Sequence, residues 1–297
     1  MLVHPDLEPL LRRAPGVDDT LVFEEGQARS ASWWVQGLRL GSRLQPRQYD
    51  LALISNASKA LHLAVWVGRI PRRVGYDRKW GWLLSDRLTD EKALGERHEV
   101  EYNFDLIRRL NLPVASPSWP VWPQCEHEDA EVLRMLQQRD INGREPFLAV
   151  HPWTSNPAKQ WPVTRYRAVI QGIKTALNIP VVLIGGADEQ AAAAEAIPSG
   201  IPVINLVGRV NLVQLAALLR RARLLLSNDS GPIHLAAALG TATIALFGTT
   251  SQAAGPRRWG PWGAGHTVIW KPSMDAISVD EVCAALRTQL SLLAHAL

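Results

Sequence analysis

The chain has 297 residues, of which 47% are apolar and 20% charged, with a formal net charge of +4. The length exceeds one ordinary domain, and the composition excludes a disordered or fibrous chain. So mild a positive balance argues against nucleic acid as a partner, which would need a concentrated basic stripe. Cys125 and Cys283 are too few for a disulfide framework and form no Cys-x-x-Cys pair, so a reducing compartment is expected. At the start, MLVHPDLEPLL meets Pro5 and Asp6 before an apolar region can build, unlike a signal peptide. The longest hydrophobic stretch, 224–248, is broken by polar residues and Gly240 short of the roughly 20 residues a spanning helix needs. The expected location is cytoplasmic.

In chain order, short apolar or β-branched runs predict strands at Thr20–Phe23, Leu51–Ile54, Phe147–His151, Val181–Ile184, Val203–Leu206, Leu224–Leu226 and Thr243–Phe247, with helical patterns between them. Such alternation predicts an α/β chain with parallel sheets. LPVASPSWPVWPQCE, 112–126, carries four prolines and no period, so it reads as punctuation. A helix is predicted over about 127–139, followed by a second break, DINGREP. The expected division is 1–140 and 141–297.

GRIPRRVGYDRKWGWLL gathers Arg69, Arg72, Arg73, Arg78 and Lys79 within eleven residues. Most charge runs are solvated faces. The sharper alternative is a surface for an anionic acceptor or a lipid headgroup, with Trp80 and Trp82 offering flat faces to sugar rings.

LLLSNDSGPIHLAAALGTATIALFG, 224–248, reads as strand, turn, helix and strand, with Asn228, Asp229, Ser230 and Gly231 at the turn. A turn at the carboxyl end of a strand that opens the next helix presents unpaired amides and forms an anion seat. The plainer reading is that Asp229 or Ser230 caps the helix, with Pro232 suited to its first turn. His234, one turn in, reads on its own as a core histidine. Ligands of parallel sheets lie beyond the carboxyl ends of the strands. Besides NDSG, that region here holds PWTSNPAKQW, GGADE and VGRVN. In the first of these Lys159 precedes Trp161 and a helix-opening Pro162, with Thr154 and Ser155 as hydroxyl donors. Glu189 follows Gly185 and Gly186 and is the type of acid that holds ribose hydroxyls, although a first-turn charge is the plainer role. No cofactor is called for. No metal-ligand spacing, G-x-G-x-x-G fingerprint or P-loop occurs.

Taken together, NDSGPIHLAAALGTATIALFGTT, its extension RRWGPWGAGH, the loop HPWTSNPAKQWP, and the first-half segments YDLALISNASKALHLAVWVGRIPRRVGY and GERHEVEYNFDLIRRLNLP resemble the lipopolysaccharide heptosyltransferases of glycosyltransferase family 9. The resemblance implies the GT-B architecture, two Rossmann-like domains facing each other across a cleft, the first incomplete here. It implies metal-free, inverting transfer from a nucleotide diphosphate sugar, typically ADP-heptose, to the lipopolysaccharide inner core, with peripheral contact with the inner membrane. By that similarity Thr154, Ser155, Lys159, Glu189, Asp229, Ser230, Gly231 and His234 form the donor site, with Asp188 the fallback for the ribose. Arg72, Arg73 and Lys79 serve the acceptor. One departure stands at Thr249, where the family usually has proline in a GPT turn.

The same family resemblance implies a further strand, an acidic glycine-bearing loop and a helix ahead of a stretch like MLVHPDLEPLLRRAPGVDDTLVF, which here begins the sequence. That loop would carry the base that deprotonates the acceptor. Asp6, Asp77 and Asp86 lie outside the matching motif, so no catalytic residue is assigned. The expectation is either a start upstream of Met1 or a poorly stable, catalytically silent remnant that still binds nucleotide. Transfer of another sugar is the nearest rival within the family.

Overall fold

The computed structural model describes residues 1–23, 32–114, 125–139, 141 and 145–294. The chain divides into two compact units, residues 1–12 with 16–118, and 13–15 with 119–297.

In the first unit the elements are β1 (Leu2–Val3), α1 (Glu8–Leu11), β2 (Leu21–Val22), α2 (Trp33–Leu44), β3 (Leu51–Ile54), α3 (Lys59–Val67), β4 (Arg72–Tyr76), β5 (Asp86–Leu88) and α4 (Glu99–Arg108). β1 and β2 form a parallel pair, and β3, β4 and β5 form a separate parallel sheet in that order. Two glycines one helical turn apart let α2 approach α3. A Cβ at Gly41 would stand 2.6 Å from the Val67 Cβ, and one at Gly37 would stand 2.9 Å from a Leu63 methyl. Beneath them Leu21, Leu40, Leu44, Ile54, Val65 and Leu84 make a small core. An apolar slot of about 440 Å³ opens between the β1–β2 pair and β3, and Leu51 and Leu53 remain 38% and 43% exposed beside it.

β4 and β5 lie where the sequence reading saw a basic run or nothing. The β4 segment RRVGY spends its first two positions on arginine, so its apolar signal is confined to Val74 and Tyr76, which are buried. Nor was the parallel β1 predicted, a strand only two residues long.

The second unit comprises α5 (Glu126–Gln137), β6 (Leu148–His151), α6 (Val163–Leu177), β7 (Val181–Leu183), α7 (Ala193–Ala196), β8 (Ile204–Asn205), α8 (Leu212–Arg221), β9 (Leu224–Asn228), α9 (Gly231–Ala238), β10 (Thr243–Gly248), α10 (Pro256–Trp259), β11 (Thr267–Lys271) and α11 (Val279–Ala294). α5, which precedes the break expected near 140, groups with this unit and packs against α8. The proline-rich stretch at 112–126 lies largely outside the described residues.

Six parallel strands run in the order β11-β10-β9-β6-β7-β8. Helices cover both faces, which is why strands β6, β7, β9 and β10 are almost wholly buried rather than alternating. Alternate residues still part to opposite sides. Leu148, Val150, Leu224 and Leu226 meet α6 and α11 through Ile170, Ile173 and Leu286, while Ala149, Leu225 and Phe247 meet α5, α8 and α9 through Leu136, Leu218 and Ile233.

Thr249 answers for the departure at that turn. Its N–H donates to the Lys271 carbonyl at 2.9 Å, a bond proline could not make, and its Oγ1 accepts from the Ser251 amide at 3.0 Å.

Candidate functional site

The strand order reverses between β6 and β9. From β6 the chain proceeds outward through β7 and β8, then returns to β9 and builds β10 and β11 on the other side. Loops leaving two adjacent strands in opposite directions open a crevice beyond their carboxyl ends, the place where sheets of this type bind ligands. Here that crevice is a pocket of about 400 Å³, lined by the loop after β6, by Glu189 after β7 and by the entry to α9. All eight expected donor residues, Thr154, Ser155, Lys159, Glu189, Asp229, Ser230, Gly231 and His234, line it. Asp188, the alternative to Glu189, is exposed and not among the lining residues.

Asn228 ties the first loop to β9. Its Oδ1 accepts from the Trp161 amide at 3.2 Å and from the Tyr166 hydroxyl at 2.9 Å, and its Nδ2 donates to the Pro152 carbonyl at 2.7 Å. Burial raises the Tyr166 pKa well above its ordinary value, so the phenol stays a neutral donor. Gln160 closes the same loop, donating to Pro152 O at 2.6 Å and accepting from the Thr154 amide at 3.1 Å. The short turn Pro157–Lys159 is capped by Asn156, whose Oδ1 accepts from the Ala158 amide at 3.0 Å. Lys159 is thereby carried to Asp229, and Nζ meets Oδ2 at 2.6 Å, with Asp229 buried and the lysine side chain one third exposed.

Neither residue offered by the plainer reading caps α9. Asp229 turns to Lys159, and Ser230, the residue ahead of the helix, makes no side-chain cap bond. The reason is local: Pro232 has no amide proton to offer, and the Ile233 amide bonds the Ser230 main-chain carbonyl at 3.2 Å. The Ser230 hydroxyl instead lies 3.2 Å from His151 Nδ1 and 3.0 Å from Ser227 Oγ.

Glu189 lines the pocket as well as opening a helical turn. It lies in the first turn of the segment Ala187–Ala192, and its Oε2 accepts from the Gly186 amide at 2.6 Å and stands 3.6 Å from His151 Nε2. Burial raises its carboxyl pKa, but the bonds from His151 and Gly186 outweigh that, and the net shift is downward. Its Oε2 is thereby turned to the pocket wall. Gly185 makes room for it, since a Cβ there would stand 2.6 Å from Oε2.

His151 and Ser227 were not foreseen beside the site, and Asn228, placed at the turn by the sequence, was not foreseen as the tie between the loop and β9. Their signal was present, since each is a polar residue ending a strand that is otherwise apolar and buried. The three residues expected to serve the acceptor lie in the first unit. Arg73 spends its guanidinium on the carbonyls of Leu83 at 2.8 Å and Ile70 at 2.6 Å, and Arg72 bonds Asp86 and the Arg109 carbonyl. Lys79 is exposed beside Trp80, which stacks edge-on with Trp33 and lies 5.6 Å from Trp82. Among the described residues no group of three or more His, Cys, Asp or Glu is arranged to hold a metal ion, and no helix is long and apolar enough to cross a membrane.

The empty side of this entry is itself testable. A Cβ added at Gly231 would meet no protein atom within 4 Å. Gly231→Val should therefore retain the thermal stability of the parent while blocking an anion's approach to the helix amides. Calorimetric titration with ADP checks this, and unchanged affinity would deny that the entry of α9 is a phosphate seat.

A strand order reversing beside a helix entry is the arrangement of Rossmann-like domains, and the architecture is that of the GT-B glycosyltransferases. Residues 37–288 match the model of glycosyltransferase family 9 (heptosyltransferase), and the chain belongs to that family. It is 28% identical over 255 residues to lipopolysaccharide heptosyltransferase 2 of Salmonella typhimurium, spanning 82% of this chain and 72% of that one. To lipopolysaccharide heptosyltransferase 3 of Escherichia coli it is 26% identical over 279 residues, 91% and 79% of the two chains. Across the curated relatives that lead the comparison, the alignments span from 66% to 79% of the relatives' own length. Among solved structures, E. coli ADP-heptose lps heptosyltransferase II superposes with a TM-score of 0.76 at 25% identity, covering 98% of this chain and 88% of that one. A family 9 glycosyl transferase from Veillonella parvula gives a TM-score of 0.84 at 18% identity, over 97% and 87% of the chains, a likeness of fold. The chain is thus a heptosyltransferase-like glycosyltransferase of lipopolysaccharide core biosynthesis.

Proposed function

We propose that the protein transfers heptose, with inversion, from ADP-heptose to the inner core of lipopolysaccharide. The observation that carries this reading is the convergence of Lys159, Asp229, Ser230 and Glu189 on one pocket at the strand-order reversal. In this reading Gly231 and the α9 entry receive the diphosphate, Lys159 balances its charge, Thr154, Ser155 and Ser230 donate hydroxyl bonds, and Glu189 meets the ribose. His234 lies close behind the sugar. Related E. coli heptosyltransferases have been solved with ADP and with ADP-2-deoxy-2-fluoro heptose, which supports an adenosine diphosphate donor. On the acceptor side Lys79 with Trp80 and Trp82 offers a cation and two rings to a phosphorylated sugar, while Arg72 and Arg73 hold the loops that shape that surface.

A second reading, nucleotide-sugar binding without transfer, is favoured by the state of the first unit's carboxylates. Asp77 pairs with Arg87, and Asp86 with Arg72 and Arg109. Both carboxylates are thus engaged by guanidinium groups of their own unit.

The test is incubation with ADP-heptose, ADP-glucose, and uridine and guanosine diphosphate sugars in the presence of heptose-deficient inner-core acceptor. Release of nucleoside diphosphate and formation of an inverted glycoside from ADP-heptose alone is the expected result. Tight ADP binding without product would select the second reading, and product from another sugar alone would replace the donor.

A further inference from the structure

His151 is a buried imidazole beside the pocket. It closes β6, is 7% exposed, and stands between the two halves of the pocket. Its Nδ1 lies 3.1 Å from Ser227 Oγ and 3.2 Å from Ser230 Oγ, while its Nε2 lies 3.6 Å from Glu189 Oε2. The Trp153 ring meets it edge-on with centroids 6.3 Å apart. One ring therefore reaches both the helix entry proposed to take the diphosphate and the acid proposed to take the ribose.

Ser230 shows why such a contact matters. A serine ahead of a helix ordinarily folds its oxygen back onto the first-turn amides. Here Pro232 removes one such partner and the Ser230 carbonyl occupies the Ile233 amide, so the side chain has no rotamer set by its own helix. What sets it is the triangle of His151 Nδ1, Ser227 Oγ and Ser230 Oγ, together with the Asn228 carbonyl at 3.2 Å. On the opposite edge of the ring, Glu189 is tied through Oε2 to the Gly186 amide and faces Nε2 with the same oxygen. A ring nitrogen that donates there fixes the plane of the carboxylate and leaves Oε1 for a ligand hydroxyl.

We propose that His151 is a positioning residue that aligns Ser230 for the diphosphate through Nδ1 and Glu189 for the ribose through Nε2, coupling recognition of the two parts of the nucleotide. This rests on the nucleotide reading of the pocket. The two arms are separable because the two amide side chains imitate different ring atoms: asparagine ends near the distance of Nδ1 from the backbone, and glutamine extends to that of Nε2.

The experiment is calorimetric titration of the full chain with ADP, 2′-deoxy-ADP and adenosine, for the parent and for His151→Asn, His151→Gln and His151→Ala. The parent should prefer ADP over both other ligands. His151→Asn should keep the preference for ADP over adenosine and lose that over 2′-deoxy-ADP, and His151→Gln should do the reverse. His151→Ala should lose both, with ADP affinity falling about tenfold, the size expected for a hydrogen bond to a charged group. A structural role alone would lower all ligands together, so Asn and Gln variants that match each other in both ratios overturn the inference. Should these variants fail to fold, Ser230→Ala reads the diphosphate arm alone, and an unchanged ratio of ADP to adenosine affinity overturns it equally. Absence of ADP binding by the folded parent would overturn the nucleotide reading itself, a failure visible before any variant is made.

Discussion

Lys159→Ala is expected to weaken ADP binding by more than the loss of one cation. A charge-assisted hydrogen bond to phosphate contributes about 1.5 to 3 kcal/mol, which is already tenfold or more in affinity. In addition Asp229 is 7% exposed and has the Lys159 ammonium 2.6 Å from its Oδ2. Removing the lysine leaves that carboxylate facing an incoming dianion without its counter-charge, so repulsion adds to the lost attraction. Lys159→Ala combined with Asp229→Asn should therefore bind ADP more tightly than Lys159→Ala alone. Titration with ADP and AMP checks both points, and AMP should suffer the smaller loss. Equal losses for the two nucleotides, together with no recovery in the double variant, would remove Lys159 from the diphosphate.

Asn228→Ala should have the largest effect on stability. The substitution strands the buried Trp161 amide and Tyr166 hydroxyl, both bonded to the Asn228 side chain, and leaves the Pro152 carbonyl with Gln160 alone. At about 1 to 3 kcal/mol for each buried group left unpaired, the second unit should lose about 2 kcal/mol or more, a large part of a typical folding free energy. Denaturant unfolding measures it. Tyr166→Phe should cost markedly less in the Asn228→Ala background than in the parent, because the hydroxyl has then already lost its acceptor. A Tyr166→Phe cost equal in both backgrounds would show that the two side chains are not coupled.

The second unit was the more legible in the sequence, and the reason is physical. Parallel strands covered on both faces must be apolar throughout, so Val181–Leu183 and Thr243–Gly248 announce themselves, and polar loops at their carboxyl ends mark the ligand side. The proposed phosphate seat was read from the chain between β9 and α9. What could not be read was the use of polar residues at strand ends. His151, Ser227 and Asn228 bond partners 62 to 79 residues away in the chain, and no local pattern encodes such pairings. In the first unit the difficulty was different: β4 begins with two arginines whose guanidinium groups close loops, so a strand carried the composition of a surface.

The slot beside β3 bears on how the two units open. Among the described residues β3 pairs with β4 alone, Leu51 and Leu53 are partly wetted, and the strand is held chiefly by the α2–α3 layer behind it. β9, by contrast, is bonded on both sides and buried along its whole length. Amide protons in β3 should exchange through small local fluctuations, whereas those in β9 should wait for cooperative unfolding of their entire unit. The chain thus carries two levels of protection, with the pocket beyond β6 and β9 built wholly on the slower one.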